Sequence, residues 1–81
     1  MGKATILFKV YTEAGNEQKV SDEIKKVMNP KGMQLEDLAF GIKVIKVLFM
    51  YEAEDGSSSI EEALKKVNGV TQVEVEEESL L

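Results

Sequence analysis

Leu38-Ala39-Phe40-Gly41-Ile42-Lys43-Val44-Ile45-Lys46-Val47-Leu48-Phe49-Met50-Tyr51-Glu52-Ala53-Glu54-Asp55 is the one stretch that stays apolar for a whole strand's length. On an extended backbone, Ile42, Val44, Leu48 and Met50 fall on one side and Ile45, Val47, Phe49 and Tyr51 on the other. A strand apolar on both faces belongs in the middle of a sheet, with a neighbour on each edge. A long helix is the competing reading. β-Branched and aromatic residues dominate the run and a glycine opens it, so the strand is preferred.

The flanking segments supply partners for this strand. Lys3 to Tyr11 alternates, with Ala4, Ile6, Phe8 and Val10 on one face, and predicts a strand with a single core face. Glu17 to Met28 carries Val20, Ile24, Val27 and Met28 at helical spacing, with Asn16 placed to cap its start and Asn29-Pro30-Lys31-Gly32 to stop it. Met33 to Phe40 reads as an edge strand running through Gly41 into the central one. After the Asp55-Gly56 turn, Ile60, Ala63, Leu64 and Val67 form a second helical stripe. Ser58 with Glu61, or Ser59 with Glu62, has capping-box spacing, and Asn68-Gly69 suits a C-cap. Val70 to Glu76 alternates again with Val73 and Val75 inward, leaving Glu77-Glu78-Ser79-Leu80-Leu81 as a tail.

The order is β-α-β-β-α-β. Two helices with one apolar stripe each must bury those stripes on one face of a four-stranded antiparallel sheet. That is the ferredoxin-like two-layer α+β sandwich, whose right-handed crossovers place the first and third strands in the centre. The expected organisation is one domain over residues 1–81. The fold hosts many unrelated activities and selects none of them.

Composition narrows the function. The 81 residues include no Cys, His, Trp or Arg, and all ten basic residues are Lys. Thiolate metal sites, imidazole bases, Ser-His-Asp triads and bidentate guanidinium clamps are therefore impossible within the chain. The expectation is a protein that is not an enzyme and carries no cofactor. A net charge of −5 argues against direct binding of nucleic acid or an anionic membrane. No apolar run reaches membrane-spanning length, and Met1-Gly2-Lys3-Ala4-Thr5 leads into a strand and not a signal peptide, so a cytoplasmic location is expected.

Three features are candidates for chemistry or binding. Glu52, Glu54 and Asp55 can gather a hard cation, but they lack the ordered spacing of a calcium loop and read as a solvated turn. Phe49 and Tyr51 lack the Lys, Arg and Gly positions that surround base-stacking aromatics, and read as core. Phe40 sits where one strand hands over to the next, beside Gly41. It is either an interface anchor in a partner's pocket or a ring folded over the core edge.

The run Leu38-Ala39-Phe40-Gly41-Ile42-Lys43 resembles the segment that enters the long central strand of archaeal elongation factor 1-beta. The likeness continues through Glu54-Asp55-Gly56, Ile60-Glu61-Glu62-Ala63-Leu64 and Val67-Asn68-Gly69-Val70. It is clearest from Leu38 to Val75. The resemblance implies a guanine-nucleotide exchange domain of ferredoxin-like fold, acting on the GTPase elongation factor 1-alpha. It further implies that the aromatic before Gly-Ile-Lys, here Phe40, enters an apolar pocket on that GTPase, with Gly41 and Lys43 beside it. Eukaryotic relatives insert a penultimate lysine toward the magnesium site; Leu80 stands there in this chain, followed by Leu81. Glu76, Glu77 or Glu78 is left to compete for the cation or for the partner's phosphate-binding lysine. The alternative from another class is a small-molecule-binding or self-associating regulatory domain of the same fold.

Overall fold

The computed structural model describes residues 2–39 and 41–81. The elements are β1 (Lys3–Thr12), α1 (Glu17–Met28), β2 (Gly32–Asp37), β3 (Lys43–Glu52), α2 (Ser58–Lys65) and β4 (Val70–Leu80). They form one antiparallel four-stranded sheet in the order β2-β3-β1-β4. The ferredoxin-like sandwich is the fold. β3 lies inside the sheet, as its two apolar faces require.

Ile6, Phe8 and Val10 of β1 oppose Phe49, Val47 and Ile45 of β3 and point to the helix layer, where Val20, Ile24 and Leu64 meet them. The Phe8 and Phe49 rings pack edge to face, with centroids 6.1 Å apart. α1 lies over β3 and α2 over β4. Leu7, Lys9 and Tyr11 therefore point to the opposite face, with Leu48, Lys46 and Val44 directly across from them.

Several local expectations need correction. Val27 is 65% exposed, because α1 is rolled so that its buried arc centres on Ile24 and takes in Ser21 instead. Asn16 does precede α1, but its side chain caps nothing; the Glu17 carboxylate accepts a bond from the Gly15 N–H at 3.2 Å. Neither capping box forms, since Ser57 is the N-cap and places Ser58 and Ser59 inside the first turn. α2 ends with Lys66 as a right-handed C-cap, so Gly69 turns the chain into β4 and does not close the helix.

The largest correction concerns the tail. β4 continues to Leu80, whose Cα pairs with Ala4, and does not stop at Glu76. The pairing steps from Phe8–Val75 to Leu7–Glu77, which leaves Glu76 as an extra residue in a bulge. Val75 faces the helix side, yet on an edge strand it has a neighbour on one side only and is 48% exposed.

Candidate functional site

Two regions carry the sequence candidates, and the sheet holds them apart. The first is the corner between β2 and β3. Leu38 N–H donates to the Ile42 carbonyl at 2.7 Å and Ile42 N–H to the Ala39 carbonyl at 3.1 Å, closing a tight loop. Gly41 has φ +76°, a left-handed conformation that glycine adopts without steric penalty. Leu38 and Ile42 are both largely exposed, and Lys43 opens β3 beside them, opposite Asp37. Phe40 lies outside the described residues.

The second region is the far half of β4, where Glu74, Glu76, Glu77 and Glu78 gather. Their neighbours separate them. Glu74 accepts from the Tyr11 hydroxyl at 3.0 Å and from the Gln72 amide at 2.9 Å. Glu76, aimed by the bulge, lies 3.7 Å from the Lys9 ammonium and 3.4 Å from that of Lys46. Lys46 also meets Glu36 of β2 at 3.2 Å, so one ion-pair chain links all four strands. Glu78 accepts a short hydrogen bond from the Tyr51 hydroxyl. Glu77 has no side-chain hydrogen bond or ion pair among the described residues. Leu80 and Leu81 are mostly exposed beyond it, although Leu81 N–H donates to the Lys3 carbonyl at 2.8 Å.

These partners perturb the neighbouring acids and bases. The bond to Glu74 is the main cause that holds the Tyr11 phenol above its usual pKa, with partial desolvation adding to it. Tyr51 is raised in the same way by Glu78. Lys46 is raised chiefly by its bond to Glu36, against a smaller opposing desolvation effect. Sequence reasoning did not single out Tyr11, Lys9 or Lys46. Their place on one face of the β1 and β3 alternation was visible, but their pairing with β4 depends on a bulge.

Among the described residues, no group of three or more Asp and Glu side chains is arranged to hold a metal ion; Glu52 ends β3, and Glu54 and Asp55 lie in the turn after it. Phe49 is buried against Phe8, and Tyr51 packs at the core margin, as the core reading expected. No helix among the described residues is long and apolar enough to cross a membrane.

Lys43 begins β3 at the corner, and Glu52 ends it opposite Lys3, next to Leu80 and Leu81. β3 is ten residues long, so Leu80 and Leu81 lie roughly 30 Å from the corner at the usual rise, whereas Glu76, beside Lys46, lies much nearer to it. Against known proteins, residues 5–81 match the EF-1 guanine nucleotide exchange domain.

The chain belongs to the EF-1 guanine nucleotide exchange domain family.

Elongation factor 1-beta of Staphylothermus marinus is 36% identical over 84 aligned positions, covering 94% of this chain and 93% of the relative. Elongation factor 1-beta of Ignicoccus hospitalis is 35% identical over 85 positions, covering 94% and 89%. The archaeal resemblance, read over the whole length and clearest from Leu38 to Val75, is matched over 94% of the chain. Among solved structures, the ACT domain from the GTP pyrophosphokinase of Chlorobium tepidum superposes with a TM-score of 0.61 at 23% identity, covering 91% of this chain and 84% of that one. That likeness concerns the fold alone.

Proposed function

We propose that this protein promotes replacement of GDP by GTP on elongation factor 1-alpha, with residues 1–81 acting as one exchange domain in the cytoplasm. The observation that carries the reading is the match to the exchange domain over residues 5–81. The physical requirement is differential affinity. A protein that binds the nucleotide-free GTPase more tightly than its GDP complex weakens GDP binding by the same factor. That needs no bond-making group, which suits a chain without His, Cys or Arg.

Phe40 is the anchor in this reading. The closed loop between Leu38 and Ile42, with apolar side chains exposed on both sides of Gly41, supports an apolar contact at that corner. Lys43 borders the contact. At the other end, Leu80, Leu81 and the carboxylates of Glu76, Glu77 and Glu78 approach the nucleotide and magnesium region. A partner engaging both Phe40 and the Leu80-Leu81 end must reach roughly 30 Å along β3. No direct contact with nucleic acid or membrane is part of the reading.

The test is release of a fluorescent GDP analogue from the cognate elongation factor 1-alpha. Substoichiometric wild-type protein should accelerate it, and Phe40→Ala, at an unchanged melting temperature, should lower the rate at least tenfold. No acceleration at any wild-type concentration would discard the reading. Replacing Glu76, Glu77 and Glu78 together by Gln with no loss of rate would remove the carboxylates from it.

A further inference from the structure

Both helices cover one face of the sheet, and among the described residues no helix or strand covers the other. On that open face Leu7 of β1 and Leu48 of β3 stand directly opposite each other, and Gly32 of β2 stands opposite Leu48. Because Gly32 has no side chain, a hollow of about 470 Å³ lies there, also bordered by Met33, Gln34 and Lys46. Its volume is several times that of one apolar side chain, so it is a broad depression that takes a small group of them. Met50, 40% exposed, extends the apolar area on the same face as Leu48.

The charges around the hollow are unbalanced. Lys9 and Lys46 are both engaged, by Glu76 and by Glu36 with Glu76. Glu74 is held only by the neutral donors of Tyr11 and Gln72. Glu77, opposite Leu7 on this face, has no cation within ion-pair distance among the described residues. The carboxylates on this face without a cation partner, Glu74 and Glu77, lie on β4 across β1 from the hollow, and a basic surface complements them.

We propose that the helix-free face of the sheet is the docking surface, receiving a basic surface of elongation factor 1-alpha whose apolar side chains enter the hollow between Leu7, Gly32 and Leu48. The inference rests on the exchange reading and adds the face toward which Glu76 and Glu77 turn. A partner reaching along β3 on this side meets no helix among the described residues. Across the other side it would have to span the helix layer, where Val27 is exposed on α1.

Calorimetric binding to nucleotide-free elongation factor 1-alpha separates the faces. Leu48→Glu opposes the apolar contact and the charge balance. Gly32→Val narrows the hollow at a site where a Cβ would lie an ordinary 3.7 Å from Leu48 Cβ. Each variant that keeps the wild-type melting temperature should bind at least tenfold more weakly, whereas Val27→Glu on the helix layer should bind as wild type does. Wild-type affinity in the folded Leu48→Glu or Gly32→Val protein overturns the proposal, as does an equal loss from Val27→Glu. In either case wild-type GDP release still stands. If the wild-type protein neither binds nor accelerates release, the exchange reading falls and this surface falls with it.

Discussion

Gly69 shows how much one position can be constrained. Its φ of +98° is in the region that side chains adopt reluctantly, and an added Cβ would approach Val20 Cγ2 at 3.0 Å. Val20 is buried within the core cluster and has little room to yield. Gly69→Ala should therefore destabilise the fold by about 2 kcal/mol, a fall of roughly 8–16 °C in melting temperature for a domain of this size. Circular-dichroism melting measures it, and a shift below about 2 °C would refute the argument. Gly41 also has positive φ but nothing within 4 Å of its added Cβ, so Gly41→Ala should lose only the backbone contribution. Asn68-Gly69 marked an ending in the sequence. That the ending is the start of β4, set by a valine in the other helix, was not legible, because no local pattern reports a neighbour so distant along the chain.

At the scale of elements, β4 is an edge strand fastened by side chains as well as by its ladder. Tyr11 and Tyr51 donate to Glu74 and Glu78, and Lys46 and Lys9 reach Glu76. The protonated forms of Tyr11, Tyr51 and Lys46 are favoured in the folded protein, since all three pKa values are raised. Their contribution is complete below the unfolded values near 10 and is lost as pH rises through the raised folded ones. Thermal melts should hold steady toward pH 10 on this account and fall above it. The Tyr11→Phe/Tyr51→Phe protein should show a shallower alkaline fall, and an unchanged slope would remove the tyrosines from the explanation. These acids were visible in the sequence only as a charge run. Val73 and Val75 set a period of two that, continued, would turn Glu77 toward the helices and Leu80 away. The extra residue at Glu76 inverts that order, and a bulge of this kind leaves no mark in an alternating pattern.

For the whole molecule, the fold was legible because its evidence is redundant. Two half-apolar helices and a strand apolar on both sides admit one economical arrangement, and misplacing a cap or the limit of β4 does not change it. The same smallness that simplified the reading leaves little reserve of stability. Domains of this kind are stable by about 5–15 kcal/mol, and Phe8→Ala removes a fully buried ring that also packs on Phe49. A loss of about 3–5 kcal/mol should lower the urea midpoint sharply with an unchanged slope; a midpoint within about 0.3 M of wild type would contradict the core described.

The place of β1 in the sheet also bears on timing during synthesis. β1 lies between β3 and β4, and Ala4 is matched to both Tyr51 and Leu80. Its outer edge therefore stays open until the chain has been made through β4. At the usual pace of about 5–20 residues per second, the Ile6-Leu7-Phe8 segment spends several seconds without its second neighbour. Closing so distant a pair is slow beside helix formation, so the nascent chain depends on its charged flanks, among them Lys3 and Lys9, to keep that edge from finding another strand first.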